Sequence, residues 1–212
     1  MNKELEDELK RISKKEISND DPSHDFSHAL RVLKNSKKLQ IEEGGNLDII
    51  VPASLFHDII VFPKDSEDSK NSSYESAKKA RRILESVNDY PKDKISLVET
   101  AIKNCSFSKS VKPESIEEKI LNDADGLEAV GAIAIMRTFA SSGVMKRKFY
   151  SEIDPFCKER QQDDKSFALD LFYSRLLKIN ERLNTETARK IAEKRIQFLY
   201  KFLEELNSEI TD

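Results

Sequence analysis

Histidine occurs three times in 212 residues, each time in a cluster with aspartate. His24 and His28 bracket the run His24-Asp25-Phe26-Ser27-His28, and the third stands in His57-Asp58. A further acidic cluster, Asp123 and Asp125, lies in Leu121-Asn122-Asp123-Ala124-Asp125-Gly126-Leu127-Glu128. Imidazoles and carboxylates together are ligands for divalent transition metals. Three such clusters in separate stretches are what one metal site assembled from three helices would leave in a sequence.

Each cluster also has a plainer explanation. Residues 24 and 28 share a face on a helix, and His28 precedes the apolar Val32 by one turn. Taken alone, this pair fits a surface His24 and a capped or core His28 equally well. His57-Asp58 ends a run of Ile49, Ile50, Val51, Ala53, Leu55 and Phe56 that is apolar almost all round, as in a buried helix. A carboxylate carried that deep is costly unless paired or metal-bound. Adjacent helical residues diverge by about 100°, so both members reach one ion only at a helix end or distorted turn. Asp123 and Asp125 point to different sides of a helix whose third side holds Leu121, Ala124 and Leu127. A solvated acidic face explains that poorly; a metal, a Lys or an Arg could each compensate the charge. The EF-hand spacing and its terminal Glu are missing.

The donor set narrows the chemistry. Mixed imidazole and carboxylate ligands suit Mn, Fe, Co, Ni or Zn better than Ca or Mg. Cys105 and Cys157 are too few for an all-thiolate zinc site or a disulfide framework, and are expected to be reduced thiols. Two His and two Asp would leave positions for water and substrate. An ion so held acidifies water and polarises a phosphoryl oxygen, giving hydrolysis without a Ser or Cys nucleophile.

The elements that must position these residues read at helical period. A charged amphipathic helix over 3–17 carries Leu5, Leu9, Ile12 and Ile17. Asn19-Asp20-Asp21-Pro22-Ser23 stops it, with Ser23 as a candidate N-cap for a helix running to about residue 43, where Gly44-Gly45-Asn46 ends it. The buried run follows, then a polar loop over 63–73. Helices are expected at about 73–87 and 92–104, and from about 114 into Ala140. Residues 143–163 are mixed, with a turn at Asp154-Pro155; 164–182 and 185–208 are helical, with Thr185 as N-cap of the last. With only five Gly and six Pro, long helices and few turns follow.

Charge and composition exclude several classes. The net charge of -3 leaves no basic excess for non-specific nucleic-acid binding. No run reaches the ~18 apolar residues of a membrane span. The N-terminus has no apolar signal segment, so a cytoplasmic location is the default expectation. The long charged last helix offers a face that a second subunit or water could cover, so a homo-oligomer stays open.

The H…HD…D order of His28, His57-Asp58 and a later Asp resembles the HD-domain superfamily of metal-dependent phosphohydrolases. The resemblance extends through Ser23-His24-Asp25-Phe26-Ser27-His28-Ala29-Leu30-Arg31-Val32, Ala53-Ser54-Leu55-Phe56-His57-Asp58-Ile59 and Phe62-Pro63-Lys64. It continues in Ala101-Ile102, Ser106-Phe107-Ser108, Lys119 to Asp125, Gly131-Ala132-Ile133 and Asp154-Pro155-Phe156. This ordered set is similar to a branch of small, largely uncharacterised bacterial HD hydrolases.

The resemblance implies an all-α fold. It would be a single HD domain over 1–212, with its core at about 20–140 and a C-terminal helical extension at about 155–210. It implies His28, His57, Asp58 and Asp125 as ligands of a divalent ion (Mn, Fe, Co, Ni, Zn or Mg). Asp125 is preferred because Ala124-Asp125-Gly126-Leu127 matches the superfamily's context, with Asp123 in reserve. His24 and Asp25 would line the site as proton donors or outer partners, and Lys64 would reach a phosphate. The implied substrate is a small phosphate ester, a nucleotide among the options. Cys105 and Gly126 depart from the pattern, standing where the branch commonly has His and Arg. Weak or altered activity, or a purely regulatory binding domain, is the alternative they raise.

Overall fold

The computed structural model describes residues 1–18, 21, 23–62, 66–105 and 112–211. Among them all regular structure is helical, apart from one isolated bridge between Lys148 and Phe167. The all-α expectation holds. No single helix among the described residues is long and apolar enough to cross a membrane. The chain divides into two compact units, Met1–Asp125 and Gly126–Asp212.

The first unit is built round α3 (Leu47–Phe56), which packs on α1 (Lys3–Glu16), α2 (Phe26–Glu43), α4 (Ser72–Ser86) and α5 (Ile95–Asn104). Every α3 residue from Ile49 to Phe56 is buried, as its nearly all-apolar run requires. Pro52 lies inside this helix and lacks the N–H that would serve the Asp48 carbonyl. The Tyr90 hydroxyl donates to that carbonyl instead, at 2.7 Å. Ser54 Oγ donates to the Ile50 carbonyl and lies 2.8 Å from Ser36 Oγ, so α3 carries its polar group into the core with partners. α2 buries His28, Ala29, Val32, Leu33, Asn35, Ser36 and Leu39, one face at three- and four-residue spacing. It ends where Gly44 takes φ +82° and returns its N–H to the Gln40 carbonyl.

The acidic cluster rides on α6 (Ile116–Gly126), whose last residue opens the second unit. A reciprocal cap starts it. Ser115 Oγ accepts from Glu118 N at 3.1 Å, and Glu118 Oε1 accepts from Ser115 N at 3.4 Å. Glu118 also accepts from Asn104 Nδ2 at 2.9 Å, and Glu117 from Asn46 N at 2.9 Å. These bonds tie α6 to the end of α5 and the start of α3.

The second unit holds α7 (Ala132–Val144), α8 (Asp170–Ser174), a 3-10 segment (Leu176–Arg182) and α9 (Glu186–Thr211). Three expectations change here and in α2. The helix expected from about 114 into Ala140 is two helices, because Val130 is extended and Gly131 sits at φ +82°, against Arg195. The helix expected over 164–182 begins only at Asp170. Residues 166–169 pair by backbone with Lys148 and Phe149, which withdraws them from a helix. The N-cap of α2 is Asp25, not Ser23. Thr185 does cap α9, its Oγ1 accepting from Ala188 N at 3.3 Å.

Candidate metal centre

His28 lies in the first turn of α2, fully buried; His57 is the C-terminal cap of α3, 3% exposed. Asp58 follows at the turn after α3, and Asp125 is near the end of α6. His57 and Asp58 stand where α3 gives way to a turn, so these adjacent side chains can meet at one point. His28 Nε2 and His57 Nε2 are 3.2 Å apart. Asp58 Oδ2 lies 3.6 Å from the first and 3.4 Å from the second. Asp125 Oδ1 lies 3.5 Å and 4.0 Å from them. Ligand atoms of His28, His57 and Asp125 all fall within 4.8 Å of one another.

Four of these five separations suit a shared ion, and the 4.0 Å between His57 and Asp125 is wider. Atoms bound at about 2.0–2.2 Å and set 90–110° apart lie about 2.8–3.6 Å from one another. The tautomer suits one too. His57 Nδ1 is 2.9 Å from the Ser54 carbonyl, which only accepts, so Nδ1 carries the proton and Nε2 is the nitrogen turned to the site. Asn35 Nδ2 donates to the Ala124 carbonyl at 3.3 Å, tying α2 to α6 beside Asp125. Of the two acidic positions weighed on α6, Asp125 is the one whose carboxylate stands at both imidazoles. Asp123 is fully buried two residues earlier.

The carboxylates favour positive charge in this cluster. Burial pulls the His57 imidazole down, but the Asp58 charge and hydrogen bond, with Asp125 and the Ser54 carbonyl, more than offset it and raise it to about 9. Burial pushes the Asp58 carboxyl up; the His57 charge, hydrogen bonds from His28 and His57, and the His24 charge outweigh it and hold the group well below the usual carboxylate range.

His24 precedes α2 rather than riding on it. Its Nδ1 is 2.6 Å from Asp21 Oδ2, and its ring stands edge-on to His28 at 5.8 Å between centroids. Asp25 Oδ1 accepts from His28 N at 2.8 Å, so this carboxylate fixes the turn that carries His28. Lys64 lies outside the described residues, as does Ser106-Phe107-Ser108. Cys105 caps α5, buried. Burial, then the charges of Asp125 and Asp58, push its thiol well above the usual range. Sequence reasoning missed Asp21, Asn35 and the Ser54 carbonyl. Only Asp21 left a signal, an acidic residue three before a histidine, and it was absorbed into the helix stop.

The HD domain family model matches residues 25–130, the stretch that holds all four converging side chains. Lin1889 from Listeria innocua is 33% identical, with a TM-score of 0.74 over 99% of this chain and 98% of its own. An HD-superfamily hydrolase from Bacillus thuringiensis is 32% identical, with a TM-score of 0.73 over 97% of this chain and 96% of its own. YpgQ from Bacillus subtilis, solved in complex with ADP, is 26% identical, with a TM-score of 0.75 over 98% of this chain and 96% of its own. A matched half-chain and two near-full-length relatives above 30% identity carry one conclusion: the chain belongs to the HD-domain superfamily, among its small bacterial members.

Proposed function

We propose that the chain is a metal-dependent phosphohydrolase acting on a phosphate ester of the nucleotide class, with His28, His57, Asp58 and Asp125 holding a divalent cation. The observation that carries this is the approach of two buried Nε2 atoms to 3.2 Å with carboxylate oxygens beside both. The nucleotide class draws support from the ADP complex of the related YpgQ. When bound, the cation supplies an acidified water and a polarised phosphoryl oxygen. The chain's own residues do the rest. His57 is held in one tautomer by Ser54, Asp25 secures the first turn of α2 under His28, and His24 stands beside the ligands as the proton-exchanging group. Lys64 follows the HD pair in sequence and would contact a phosphate.

The test is elemental analysis of purified protein beside His57→Ala, with hydrolysis of nucleotides and generic phosphate esters assayed under Mn, Co, Ni and Mg. Stoichiometric metal lost in the variant, and turnover lost in Asp58→Ala, are expected. Full turnover in Asp58→Ala overturns the assignment.

A second reading, a metal- and nucleotide-binding regulatory domain, is favoured by Cys105 and Gly126, which replace the branch's common His and Arg. Cys105 is close enough for both site carboxylates to act on its thiol. Turnover that emerges only in Cys105→His with Gly126→Arg selects this second reading.

A further inference from the structure

Asp21 lies in the turn ahead of α2, and both of its carboxylate oxygens are engaged. Oδ1 accepts from Ser23 N at 2.8 Å, and Oδ2 meets His24 Nδ1 at 2.6 Å. The Asp21 carbonyl also accepts from His24 N at 3.0 Å. The turn therefore fixes the carboxylate first, and the carboxylate then fixes the ring. An ionised carboxylate only accepts, so the proton of this bond belongs to Nδ1. The ring so held stands edge-on to His28, 5.8 Å away, with 14% of the side chain exposed. That puts His24 at the rim of the metal centre rather than among its ligands.

The geometry points to Asp21 as a positioning residue that sets the orientation and tautomer of His24, so that Nε2 and not Nδ1 meets the substrate. This rests on the hydrolase reading above. Asp21 is not among the four side chains that converge on the centre, and its Oδ2 contact is with the His24 ring, so its effect on that ring can be separated from the ligand set. A carboxylate that orients an imidazole through Nδ1 contributes mainly after substrate is bound, because a misoriented ring still permits binding.

Asp21→Asn keeps an acceptor for Ser23 N, preserving the turn, while it places a neutral amide against Nδ1. Asp21→Ser keeps the turn by a second route and falls short of the ring. With Mn-loaded protein and nucleotide substrate, both variants are expected to lower kcat about 10- to 100-fold with KM within about threefold. In a His24→Ala background, Asp21→Asn should lower kcat no further. Manganese affinity and thermal midpoint should stay near those of the wild type.

A readout independent of turnover is the nitrogen-15 spectrum of the imidazoles. With three histidines in the chain, the His24 signals are identified by their loss in His24→Ala. Asp21→Asn should move the His24 nitrogens away from the pure Nδ1–H pattern and leave those of His57 in place. An unchanged kcat, multiplicative losses in the double variant, or an unmoved His24 spectrum overturns the inference. If the wild type hydrolyses no nucleotide under any of the four metals, the hydrolase reading fails and takes the substrate-facing role with it. The spectrum then still decides whether Asp21 holds the ring.

Discussion

His28 and His57 are 29 residues apart in the chain, and their Nε2 atoms stand 3.2 Å apart in a buried setting. With Nδ1 of His57 holding its proton against the Ser54 carbonyl, its Nε2 offers a lone pair, which either a proton on His28 Nε2 or a metal ion between the rings satisfies. If a metal ion is the occupant, as the proposed function requires, loss of either ring should release it. His28→Ala and His57→Ala are each expected to weaken manganese binding by more than the roughly 10- to 100-fold that loss of an outer partner brings. Titration calorimetry with Mn checks this, and wild-type affinity in both variants would remove the basis for the centre.

The cap of α6 reaches the site through the helix it starts. Ser115→Ala removes an acceptor for Glu118 N and strands part of the first turn. A cost of about 1 kcal/mol is expected, seen as a fall of about 2–4 °C in thermal midpoint. Glu118→Ala should cost more, since the buried Glu118 also serves Asn104 Nδ2. Equal midpoints for wild type and Glu118→Ala would show that this bond set does not hold the helix.

The His/Asp cluster was legible in the sequence because residues of these types seldom stand in apolar runs. His57-Asp58 closing an apolar run, and acids amid Leu121, Ala124 and Leu127, conflict with core packing unless something pairs them. The all-α class was legible from period and scarce glycine. What stayed hidden depends on single dihedrals or distant backbone. The apolar period runs on through Val130 and Gly131, so the break there leaves no trace except one glycine at φ +82°. The pairing of Lys148 with residues 166 and 168 that delays α8 is a long-range backbone event. The choice between Ser23 and Asp25 as N-cap turns on which side chain reaches an N–H, and both residue types cap equally well.

Gly131 tests the break directly. Its φ of +82° is disfavoured for any residue with a Cβ, and an added Cβ would lie 3.3 Å from Arg195 Cβ and Cγ. Gly131→Ala is expected to destabilise by about 1–3 kcal/mol through backbone strain. Chemical denaturation would register this as a lower midpoint. An unchanged midpoint would mean that the segment relaxes at no cost.

The loop that leads into α8 should make the second unit acid-sensitive. Asp154 accepts from the backbone N–H groups of Glu159, Lys158 and Arg160, which hold its carboxyl down at about 2. Asp170 is fully buried; burial raises its carboxyl, but the paired Arg160 guanidinium at 2.6 Å and the Asp163 N–H lower it overall. Both groups bind protons less readily folded than unfolded, where an aspartate titrates near ~3.9. Their stabilisation is thus present above that value and is lost as the pH falls through each folded-state value, about 2 for Asp154. Asp154→Asn should flatten the dependence of stability on pH between about 4 and 2. Asp170→Asn leaves Arg160 facing a neutral amide in a buried site. Breaking one side of a buried pair costs about 3–5 kcal/mol, and the 24% exposure of Arg160 puts this loss at the lower end. Denaturation midpoints of the three proteins at pH 7, 4 and 2.5 decide the matter. Parallel curves for wild type and Asp154→Asn across the acid range would show that this loop does not carry the linkage.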